Sequence, residues 1–134
     1  MCAEIVKFAN ASVDEKPHSV VLVGGWGSDE PRGINTHRCT HFAYGPGNEF
    51  CGYLMPHTSW EFGAYNARDA FGCLDPVSRN EALAALEADS EIIRATSNSA
   101  PGLEPGVVVS VVFGPRPVPN HTSLEISAWR QKLQ

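Results

Sequence analysis

A chain of 134 residues, 43% of them hydrophobic and 19% charged, has the length and composition of a single globular domain, residues 1–134, with a core of its own. Ten Lys and Arg against fifteen Asp and Glu give a net charge of −5, which excludes a broad phosphate-neutralising surface and disfavours nucleic acid and anionic membranes as partners. No stretch approaches the roughly 18 apolar residues of a membrane-spanning helix.

The opening Met1-Cys-Ala-Glu-Ile-Val-Lys-Phe8 lacks the basic and apolar regions of a secretory signal. The sequence therefore reads as cytoplasmic, with Cys2, Cys39, Cys51 and Cys73 as reduced thiols. On that reading two acceptor patterns for N-linked glycans, Asn10-Ala-Ser12 and Asn120-His-Thr122, carry no information. A removed leader would reverse both conclusions.

Residues 5–8 and 18–23 read as strands, the second through the continuous run Val20-Val-Leu-Val23, which suggests burial on both faces. Residues 26–35 form a loop by composition. Residues 36–44 and 49–55 flank Gly45-Pro-Gly-Asn48 and read as a β-hairpin. One main helix, about residues 76–96, starts either at the Asp75-Pro76 cap or at the capping box of Ser78 and Glu81, with Leu83, Leu86 and Ile93 on its apolar stripe. A Pro- and Gly-bearing linker over 97–106 leads to the strand Val107-Val-Val-Ser-Val-Val-Phe113. The last segment, 123–129, fits a strand or a short helix. Strands, a helix and then more strands imply an α+β fold, a mostly antiparallel sheet packed against one main helix.

On a strand, His37, Cys39 and His41 would share one face about 7 Å apart, a spacing at which they could hold zinc if Cys51 or His57 completed the set. The bland alternative is ordinary His and Cys on a sheet face, so metal ligands stay unknown and no cofactor is expected. Trp60, Phe62, Tyr65 and Phe71 read as core, whereas Trp26, in a Gly-rich acidic loop, reads as exposed.

The tripeptide His-Thr-Ser occurs twice, at His57-Thr58-Ser59-Trp60 and His121-Thr122-Ser123-Leu124. This pattern resembles the two-histidine phosphoesterases, whose motif is His-x-Ser/Thr followed by a hydrophobic residue. The resemblance implies a metal-independent phosphoesterase, with His57 and His121 as base and acid and Ser59 and Ser123 steadying the phosphoryl oxygens. Capping or loop His-Thr-Ser is the plainer reading.

With no specific catalytic motif, enzyme activity stays open and the preferred expectation is a small acidic binding or inhibitor module. Its partner would be a basic protein, as in the immunity partners of toxins, engaged through Trp26, Asp29, Glu30, Glu87 and Glu91, with a homodimer left open.

Overall fold

The computed structural model describes residues 1–27 and 35–132. Along the chain run α1 (Cys2–Asn10), β1 (His18–Trp26), β2 (Asn35–Thr40), α2 (Gly45–His57), α3 (Gly63–Phe71), α4 (Pro76–Glu87), β3 (Ile93–Ser97), β4 (Val107–Pro115) and β5 (His121–Arg130). The strands form one antiparallel sheet in the order β2-β1-β5-β4-β3, so the last strand is central and closes the sheet onto the first. The α+β expectation holds, with four helices in place of one main helix.

Register explains why those helices share one side. Leu22 lies opposite Cys39 and Leu124, and Leu124 opposite Phe113, so these side chains project from the same face. Cys39 on that face is joined to Cys51 of α2. Val20, Leu22, Val107, Val109, Val111, Leu124, Ile126 and Ala128 form the sheet half of the core. The helices supply Ile5, Phe8 and Ala9 of α1, Phe50 and Leu54 of α2, Ala67, Ala70 and Phe71 of α3, and Ala82 of α4. The opposite face carries Ser19, Ser127, Ser110 and Thr96 in one cross-strand row, with the Ser19 and Ser127 hydroxyls 2.7 Å apart and Thr96 donating to Ser110 at 3.3 Å.

Several expectations are corrected. Residues 5–8 are helical, because Ile5, Phe8 and Ala9 recur at the i, i+3, i+4 spacing of a buried helix face. The expected hairpin around Gly45-Pro-Gly-Asn48 is instead the start of α2. Pro46 suits its first turn, and Gly47, Phe50, Cys51 and Leu54 line its buried stripe. The turn lies earlier, where Phe42 and Ala43 both take positive φ (53° and 60°) and the Tyr44 N–H reaches the His41 carbonyl at 3.0 Å. The main helix ends at Glu87, not near 96: Asp89 turns left-handed (φ 53°), and the β-branched Ile93 and Thr96 enter β3. Its start does follow the expected Asp75 cap, whose carboxylate accepts from the Ser78 N–H at 3.1 Å. Residues 123–129 are strand. In β1 the apolar run is unevenly covered, with Val20, Leu22 and Val23 buried and Val21 half-buried.

The cysteines are not thiols. Cys2 pairs with Cys73 and Cys39 with Cys51, which ties α1 to the end of α3 and β2 to α2. Cys39 and Cys51 are therefore not thiolate donors for zinc. Among the described residues no group of three or more His, Cys, Asp or Glu gathers as a metal site, and no helix is long and apolar enough to cross a membrane.

Candidate functional site: an exposed aromatic patch

At one end of the helical layer the loop between α2 and α3 folds back over the end of β1. Two features of the sequence allow this. Gly24 lets the loop backbone touch the sheet, since a Cβ there would stand 2.8 Å from the Trp60 carbonyl. The buried Asn66 of α3 then clamps the loop with both ends of its amide, accepting from the Ser59 N–H at 2.9 Å and donating to the Ser59 carbonyl at 2.6 Å. The Ser59 hydroxyl accepts from the N–H groups of Glu61 (3.1 Å) and Phe62 (2.9 Å).

The loop held this way puts aromatic rings at the surface. Trp26 meets Trp60 edge-on at 4.9 Å between ring centroids, and Phe62 lies 5.4 Å from Tyr65. Trp26, Phe62 and Tyr65 are 53%, 51% and 54% exposed, which is far from the core packing expected of Phe62 and Tyr65. The reason is helical phase: α3 buries Asn66, Ala67, Ala70 and Phe71, so Tyr65 falls on its outer side and Phe62 precedes its first turn. Of that aromatic set only Phe71 is buried.

Beyond Tyr65 the patch continues into a groove between α3 and α4 of about 540 Å³, lined by Ala64, Arg68, Leu83, Leu86, Glu87 and Asp89. The Arg68 guanidinium sits 5.4 Å from the centre of the Tyr65 ring and bridges the two parts. Glu87 and Glu91 are exposed, and the Glu91 carbonyl adjoins Gly114 near the end of β4. Trp26, Glu87 and Glu91, chosen from sequence, therefore lie around one end of the molecule. Asp29 and Glu30 lie outside the described residues.

The histidines are placed differently. His57 ends α2 on the helical side, exposed, with its ring stacked 4.3 Å from Tyr53 and Nδ1 donating to the Tyr53 carbonyl at 2.7 Å. His121 pairs with Gly25 and projects from the opposite sheet face, 3% exposed. Its Nδ1 donates to the Pro119 carbonyl at 2.8 Å, which fixes the tautomer, and Nε2 meets the Thr36 hydroxyl at 2.8 Å. Ser123 shares that face with His121, while Ser59 stays with the aromatic loop. The sheet separates the two His-Thr-Ser copies. His37 touches the Thr58 hydroxyl at 3.2 Å, and burial lowers its pKa.

No protein-family model, no curated protein and no solved structure matches the chain. The site has large aromatic faces, one guanidinium and exposed carboxylates close by. Trp60, Phe62, Tyr65 and Asn66 were not picked out as site residues from sequence, because the exposure of Phe62 and Tyr65 and the burial of Asn66 depend on where α3 begins and which face it buries.

Proposed function

We propose that the protein is a binding module that engages a basic protein partner through the Trp26–Trp60–Phe62–Tyr65 patch, with Glu87, Asp89 and Glu91 as its charged rim. The observation that carries this reading is that three aromatic side chains stand half-exposed, Trp26 at the end of β1, Phe62 on the clamped loop and Tyr65 in the first turn of α3. Monomeric proteins rarely leave such rings together in water without a use, and Trp and Tyr dominate interface energetics. The acidic rim selects the sign of the partner. The two disulfides favour work in an oxidising compartment over the cytoplasm expected from the sequence.

The test compares the parent with the double variant Trp26→Ala/Phe62→Ala as baits in the extracellular fluid of the producing cells. A basic protein retained by the parent should bind the double variant about 30-fold or more weakly, the usual cost of deleting interface anchors. Equal retention by both baits overturns the reading. So does a dimer of the purified chain that the double variant dissociates, since the patch would then be taken by a second copy.

A further inference from the structure

The two glycan acceptor patterns meet opposite fates in the fold, and this distinguishes them chemically. In Asn10-Ala-Ser12 both ends of the amide are bonded within the fold: Nδ2 donates to the Gly102 carbonyl at 3.1 Å and Oδ1 accepts from the Glu104 N–H at 2.9 Å. Ser12 of the same pattern is buried. A sugar on the Asn10 nitrogen would have to share that nitrogen with its bond to the 102–104 loop.

Asn120 is the reverse. It stands at the tip of the β4–β5 connection, exposed, directly before β5 begins. Its backbone takes a left-handed φ of 62°, and its carbonyl accepts from the Trp26 N–H at 3.2 Å. Its neighbours close the tip, with the Arg116 N–H on the His121 carbonyl at 3.0 Å and the His121 N–H on the Val118 carbonyl at 3.3 Å. Its side-chain amide has no hydrogen-bond partner among the described residues.

We infer that Asn120 is an N-glycan acceptor and that Asn10 is not, an inference that rests on the oxidising-compartment reading above. In the transfer, the Asn120 amide nitrogen bonds to the anomeric carbon of a lipid-diphosphate-linked oligosaccharide and loses a proton. The glycosidic C–O bond breaks, and the lipid diphosphate leaves with its electron pair. Because the Asn120 carbonyl holds Trp26, the first sugar stands at the border of the aromatic patch and limits how a partner can approach from that side.

Left-handed φ alone also favours Asn, so the variants must separate turn from acceptor. The chain is secreted from a eukaryotic host as the parent, Asn10→Gln, Asn120→Gly and Thr122→Ser, and intact mass is taken before and after treatment with an N-glycan amidase, with free thiols counted on the denatured protein. The parent, Asn10→Gln and Thr122→Ser should each lose one glycan's mass on treatment. Asn120→Gly, which keeps the turn, should lose none. A thiol-free parent that carries no glycan, or a glycan that survives Asn120→Gly, overturns the site while leaving the compartment reading standing. Four titratable thiols in the secreted parent overturn the compartment reading, and the site with it.

Discussion

Two residues build the patch, and a third anchors the helix that follows it. Gly24 gives the aromatic loop its approach to the sheet, Asn66 fixes that loop through two hydrogen bonds, and Asp75 joins two elements at once. The Asp75 carboxylate accepts from the Ser97 hydroxyl at the end of β3 and from the Ser78 N–H in the first turn of α4. Those bonds, the Ser97 hydroxyl foremost, favour the charged form and hold its pKa below the ordinary 3.8. A carboxyl depressed in the folded state contributes stability that is present above its unfolded pKa and is lost as pH falls through the folded value. Asp75→Ala should therefore lower the melting temperature at neutral pH and flatten its fall below the ordinary carboxyl range. Thermal scans of both proteins across acid pH check this. Parallel loss of melting temperature in the two would rule out the linkage.

Among elements, the disulfides decide which helices are tied to what. Cys39–Cys51 closes 12 residues of separation and fixes α2 on β2; Cys2–Cys73 closes 71 and fixes α1 on the helical layer. On the chain-entropy account the first is worth about 3 kcal/mol and the second about 4 kcal/mol, because a longer loop loses more freedom when cross-linked. Replacing Cys2 and Cys73 together by Ala should thus lower the urea midpoint more than replacing Cys39 and Cys51, and the reverse order would show that native contacts outweigh loop closure. Sequence could not foresee these ties, because pairing is a long-range fact and the opening residues suggested reduced thiols. It also misread the segments they anchor. Residues 5–8 are too short a window to separate helix from strand, and Gly45-Pro-Gly-Asn48 carries both a turn signal and a helix-start signal. The strands were more legible: Val107 to Phe113 and the run from Val20 announce themselves through β-branched residues, and the Asp75 cap through its place before Pro76. The exposure of Trp26, Glu87 and Glu91 was legible from their surroundings in the sequence, whereas that of Phe62 and Tyr65 depended on the start and phase of α3.

At the scale of the whole molecule, the proposed binding function would divide two tasks between the acidic rim of a chain with a charge of −5 and the aromatic patch beside it. Long-range attraction acts before contact and so governs the rate of encounter; aromatic burial acts only after contact and so governs escape. Exposed carboxylates such as Glu87 and Glu91 are screened over about 10 Å at 0.1 M salt, so their share of the association rate should fade between low and physiological ionic strength. The double reversal Glu87→Lys/Glu91→Lys should slow association with the proposed basic partner at low salt and converge on the parent's rate at high salt, with dissociation little changed. Trp26→Ala should do the opposite, leaving association near the parent's and hastening dissociation. Surface-plasmon or stopped-flow traces across a salt series separate the two rates directly. If the charge reversal acts on dissociation and is insensitive to salt, the carboxylates are themselves part of the buried contact. The division of labour between rim and patch then fails.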